Sequence, residues 1–160
     1  MATQSAQTRR ELAARAEERA EAAARERGEC HRGLSESTAK LRTHLEFIGR
    51  KRWPDMDERL ARLEELAAEV AVGAGSIARL GEDEVTRAAR EVSAVATALA
   101  AEVAAAVGPA GEYRDRIDFQ KFDATFDAFL ALTGPGGAPR DPAAVEPASP
   151  ARGRAVGDSR

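Results

Sequence analysis

Between Ala13 and Ile48 one row of residues recurs at alternating steps of three and four: Ala13, Ala16, Ala20, Ala23, Arg27, Cys30, Leu34, Ser37, Leu41, His44 and Ile48. Only an α-helix, at about 3.6 residues per turn, returns such positions to one side. The row therefore reads as the seam of a coiled coil or a long bundle helix. It predicts a first helix from about Arg9 to about Ile48, with Thr38 and Leu45 widening the stripe near its end. From Leu34 on the seam carries large apolar groups; before that it is nearly all Ala, with Leu12 the one large aliphatic. Glu11–Arg15 and Glu21–Arg25 are helical pairs in the favourable order. Gly28 and Gly33 bracket the change in seam quality, and glycine costs about 1 kcal/mol against Ala inside a helix, so a bend or break is expected there.

Three more helices follow. Trp53-Pro54-Asp55 interrupts the first, because proline disfavours the helical conformation in the residue before it. Asp55 and Glu58 have capping-box spacing and open a second helix with Met56, Leu60, Leu63, Ala67, Val70, Ala74 and Ile77 on one face. Gly81 ends it, and Glu82, Asp83 and Glu84 suit the positive end of a third helix. That helix shows Val85, Val92, Leu99 and Ala106 at spacing seven, with Ala88, Val95 and Val103 between, and stops at Gly108-Pro109-Ala110-Gly111. A fourth begins near Asp115 or Asp118 and ends at Leu132 or Thr133, with Phe119, Phe122, Phe126 and Phe129 on one face. From Gly134 the pattern dissolves into a Pro/Gly/Ala-rich segment read as a disordered tail.

Leu, Ile, Val and Phe make up only 28 of the 160 residues, a share that alone would suggest disorder. Their placement changes that reading: one lies in 1–33, 25 in 34–132 and two in 133–160. The expected fold is all-α, an up-down antiparallel bundle of about four helices. The chain divides into an Ala/Arg/Glu-rich helical extension (1–33), the bundle (34–133) and the tail (134–160). β-Branched and aromatic residues are too few for a strand-rich fold.

Charge is segmental. Residues 1–53 hold 12 basic and 8 acidic side chains, 54–108 hold 5 and 11, and 109–160 hold 7 and 8. A positive first segment and a negative middle attract one another, within a chain or between chains. The single cysteine, Cys30, allows no intrachain disulfide and fits a reducing compartment. No signal-peptide core precedes the first charges, and the least charged run, Val92 to Gly111, is mostly Ala and Gly and is cut by Pro109. A cytoplasmic protein with no membrane span is expected. Arginine outnumbers lysine 21 to 3, the codon signature of a GC-rich bacterial genome rather than of phosphate binding.

No catalytic constellation stands out, and no cofactor or metal is implied. Cys30, His31 and His44 are the only soft ligand types and do not form two close pairs. Cys30 and His31 are neighbours, which a helix points about 100° apart, away from nucleophile–base geometry. Glu64, Glu65 and Glu69, and Asp118, Asp123 and Asp127, read as solvated faces and caps. Val72-Gly73-Ala74-Gly75-Ser76 looks superficially phosphate-binding, but it lacks the Gly-Lys-Ser/Thr ending and a preceding strand, so close helix packing or a kink is the better reading.

Two clusters remain. Phe119, Phe122, Phe126 and Phe129 form either core or a docking surface for a partner helix or a second copy. Arg50, Lys51 and Arg52 with Trp53 form the one basic cluster with an aromatic, a candidate nucleic-acid contact, though cations also suit a helix C-terminus. The sequence thus points to a non-enzymatic helical interaction or adaptor module acting through coiled-coil-like contacts, with a protein partner or self-association. The alternative is a nucleic-acid-associated helical protein using Arg50, Lys51 and Arg52.

Overall fold

Each apolar stripe is too narrow to be covered by its own helix, and the four are buried against one another. The computed structural model describes residues 2–50, 53–113 and 116–134. They form an all-α four-helix bundle: α1 (Ala2–Arg50), α2 (Met56–Ala78), α3 (Asp83–Ala106) and α4 (Gln120–Thr133). Successive helices run antiparallel, with α1 packed on α2, α2 on α3 and α3 on α4. Of the expected tail, only Gly134 lies within the described residues.

α1 is longer than the seam predicted and runs unbroken through Gly28 and Gly33, where a Cβ would meet nothing within 4 Å. Those glycines lose propensity but do not interrupt the helix. At about 1.5 Å per residue its 49 residues span about 74 Å, against about 35 Å for the 23 residues of α2. The bundle therefore covers only the C-terminal part of α1. Its buried row is Leu34, Thr38, Leu41, Leu45 and Ile48. Thr38 and Leu45 are thus central, and Ser37 and His44 lie at the edge. Thr38 is tolerated in the core because its hydroxyl donates to the Leu34 carbonyl oxygen at 2.8 Å.

α2 buries Met56, Leu63, Ala67, Val70, Ala74 and Ile77 of its expected face together with Leu66, while Leu60 is only partly covered. Its start differs from the expected capping box: Asp55 makes no side-chain cap bond. With φ −102° and ψ 33° it is outside the extended conformation a capping oxygen needs. Instead, its carboxylate is forked by Arg59, Nε to Oδ1 at 3.1 Å and Nη2 to Oδ2 at 3.0 Å. α3 is turned from the expected face. Ala89, Ala96 and Ala100 join Val92, Leu99 and Val103 in the interior, while Val85, Ala88 and Val95 move to its margin. A helix sandwiched between α2 and α4 needs small residues at its closest approaches.

Beyond α3, Gly111 N donates to Gly108 O at 3.0 Å and Gly108 N to Glu112 O at 2.8 Å, closing a tight turn. Gly111 sits at φ 72°, and a Cβ there would stand 3.1 Å from the Trp53 carbonyl oxygen, so glycine is required twice over. α4 starts later than predicted, at Gln120, where Asp118 Oδ1 accepts from the Gln120 amide at 2.9 Å. Among the described residues no helix is long and apolar enough to cross a membrane.

Candidate interaction surface

The phenylalanine face is divided by the fold. Phe129 and Phe122 are buried in the chain's own core, and Phe119 and Phe126 are half-buried against it. Two of the four are thus core, one of the two readings the sequence offered, and the face packs α4 onto the bundle. His31 of α1 meets the Phe129 ring edge-on at 6.2 Å. Arg42 of α1 stacks 3.8 Å over the Phe119 ring, forks onto Asp123 at 2.8 and 3.2 Å, and also pairs with Glu46. Those carboxylates hold the Arg42 guanidinium above its ordinary pKa, the Asp123 hydrogen bond first.

The basic cluster is also only partly presented. Arg50 is exposed, 3.7 Å from Glu46, with its guanidinium 5.3 Å from the Phe47 ring centroid. Lys51 and Arg52 lie outside the described residues. Trp53 is engaged: its indole N–H donates to the Phe47 carbonyl oxygen at 2.8 Å, and Arg59 stacks 3.8 Å over its ring. One face and the polar edge of the indole are therefore used within the chain, leaving little for stacking on a base.

The remaining candidates are spread over contacts within the bundle. His44 Nε2 lies 2.8 Å from the Arg59 carbonyl oxygen, which can only accept, so that nitrogen carries the proton and ties α1 to the first turn of α2. At the other end of the bundle Glu82 faces two cation-forming groups of α1, Arg27 at 3.3 Å and His31 at 3.6 Å. Cys30 is half-buried beside the core. Arg62 pairs with Glu65 at 2.7 Å and Glu69 at 3.4 Å, and these carboxylates raise its pKa. Gly73 to Ser76 lie inside α2, not in a loop, and a Cβ on Gly73 would stand 3.2 Å from Leu34 Cα. Among the described residues no group of three or more His, Cys, Asp and Glu could hold a metal ion.

Among the described residues, two surfaces are left uncovered. The first is the part of α1 beyond the Glu82 contacts. Every described side chain from Gln7 to Ala22 is exposed, and Ala23 and Arg27 are the first to be partly covered. Helical periodicity keeps its stripe of Leu12, Ala13, Ala16, Ala20 and Ala23 in phase with the buried row from Leu34 to Ile48. The second is a groove between α1 and α2, running from Gly33 and Val72 at one end to Phe47 at the other. Leu66 and Gly73 line it, with Lys40 on the α1 wall and Arg62, Glu65 and Glu69 on the α2 wall. Pattern could foresee the first surface. The groove could not be foreseen, because it depends on which helix pair stays uncovered.

Comparison with protein-family models, curated proteins and solved structures found no match. The functional reading therefore rests on these two surfaces alone.

Proposed function

We propose that this chain is a non-enzymatic helical interaction module of the bacterial cytoplasm, binding a protein partner or another copy of itself through coiled-coil-like contacts. The projecting part of α1 supports this reading most. It continues the phase of the core stripe past the end of the bundle, where nothing in the described chain packs on it. Most helical stability in proteins comes from tertiary packing, and from Gln7 to Ala22 the described side chains of α1 have none. A partner helix laid along the Ala stripe supplies those contacts, and small residues let two backbones approach closely.

A photo-reactive residue at Ala16, compared with one at the exposed Ala94 of α3, tests the proposal inside the native host. The expected result is a discrete protein adduct from position 16, identified by mass spectrometry and reproduced with purified components, with none from position 94. The absence of any adduct from position 16, together with an enzymatic or nucleic-acid activity of the purified chain, would overturn it.

A further inference from the structure

α4 climbs α1 toward the projection. Its Asp123 meets Arg42, and its Phe129 meets His31, eleven positions nearer the start of α1. α4 ends at Thr133, about one turn past Phe129, so the chain leaves the bundle beside Arg27, where the uncovered part of α1 begins. It leaves on the matching side. Ala24, Ala20 and Ala13 stand 7, 11 and 18 positions before His31, each within about 20° of it around the helix, and all three are exposed. Gly134 carries φ −70° and ψ 167°, close to polyproline II, and the next residue is Pro135.

Residues 135–160 lie outside the described residues, and their sequence has a period of three. A polyproline II helix turns once every three residues, so every third residue shares a side. Pro139, Pro142, Val145, Ala148 and Ala151 share one side; Arg140, Glu146, Ser149 and Arg152, with Ala143, share another. Such a segment is too poor in large apolar groups to build a core of its own, yet it has an apolar edge to lay on a helix already formed. Its length suffices. Arg27 to Arg9 is 18 residues of helix, about 27 Å, which about nine residues of polyproline II cover at about 3.1 Å each. Gly134 to Val145 is eleven.

We propose that the segment following Gly134 lies in polyproline II conformation along the Ala13, Ala20 and Ala24 side of α1 in its own chain, antiparallel to α1, with the Pro139, Pro142 and Val145 edge against the alanines. The small alanine side chains leave room for the proline rings, and proline's fixed φ lowers the cost of ordering the segment. Polyproline II makes no hydrogen bonds of its own, so the contact is shallow and protects the α1 amides far less than the bundle core does. It regulates the surface assigned above to a partner: the strap has to leave before a partner helix docks there. The regulatory role rests on the reading of the chain as an interaction module.

Hydrogen exchange in the dilute, full-length purified chain tests this with Pro142→Asp, on the apolar edge, and Ala143→Asp, on the polar side; both positions follow the four helices in sequence. Pro142→Asp is expected to speed exchange over Arg9 to Ala24 roughly threefold or more, and Ala143→Asp to leave it as in wild type. A photo-reactive residue at Ala20 is expected to give a cross-link within the chain to the segment Pro135 to Ala151, with a yield independent of concentration. Equal exchange in wild type and Pro142→Asp overturns the proposal, as does the lack of that cross-link. A cross-link whose yield rises with concentration overturns it too, because the segment would then come from a second copy. Should Ala16 capture another protein in the host while Ala20 gives no cross-link within the chain, the interaction-module reading stands and the strap falls. A cross-link within the chain at Ala20 with no protein captured at Ala16 leaves the strap standing and removes the partner it was held to regulate.

Discussion

Gly73 of α2 lies against the backbone of Leu34 in α1, so closely that a Cβ on Gly73 would stand 3.2 Å from both Leu34 Cα and Leu34 Cδ1. Leu34 is where the Ala-based seam of α1 gives way to large apolar groups, and it is fully buried. The missing side chain at position 73 is thus what lets the two helices close where the bundle begins.

Gly73→Ala and Gly75→Ala are therefore expected to change stability in opposite directions. Alanine gains about 1 kcal/mol of helix propensity at either position. At Gly75 nothing lies within 4 Å, so the gain is kept; at Gly73 a backbone atom must move, and the chain loses stability. Urea unfolding of the two variants checks this, and equal stabilisation by both would contradict the close approach.

Phe129→Ala and Phe122→Ala are expected to cost about 3–5 kcal/mol each, the usual loss for a large buried aromatic. Phe126→Ala, at a half-buried position, should cost clearly less. Thermal unfolding of the three variants ranks them; near-neutral effects at Phe122 and Phe129 would return the face to the surface.

Arg42 and Asp123 are expected to couple by about 0.5–1 kcal/mol in a double-mutant cycle, because the pair is partly open to solvent. A coupling near zero would mean that the stacking of Arg42 on Phe119, rather than the ion pair, holds α4 to α1.

The hydrogen bond from Arg59 holds the Asp55 carboxyl below its ordinary value of 3.8. A carboxyl with a lowered folded pKa stabilises the fold above the unfolded value and loses that contribution as pH falls through the folded one. Wild type and Asp55→Asn should thus differ in urea midpoint at neutral pH, with the difference closing below about pH 4. A difference that persists at lower pH would rule out the charge as its source.

Much of this fold is legible in spacing. Rows at steps of three and four place every helix, because burial selects one side of each. The exact facing is not legible. Thr38 reads as polar until its hydroxyl finds the Leu34 carbonyl, and the alanines of α3 outrank its valines only because α3 is packed on both sides. Arg42 is one of 21 arginines, and nothing local marks it as the one that reaches Asp123, 81 positions away. The Asp55–Glu58 spacing misleads because backbone conformation, not spacing, decides whether a cap forms. The projection could be inferred from the change in seam quality at Leu34; the groove required the packed helices.

Residue-resolved hydrogen exchange over Arg9 to Arg27 tests the central claim most directly. In the dilute chain these amides are expected to exchange far faster than those of Leu34 to Ile48, since the described tertiary contacts of the first stretch are confined to Ala23 and Arg27 at its end. As concentration rises, or as the cross-linked partner is added, protection is expected to spread along Arg9 to Arg27. If their exchange stays fast at every concentration and with every partner candidate, the projecting helix is not a contact element and the account fails.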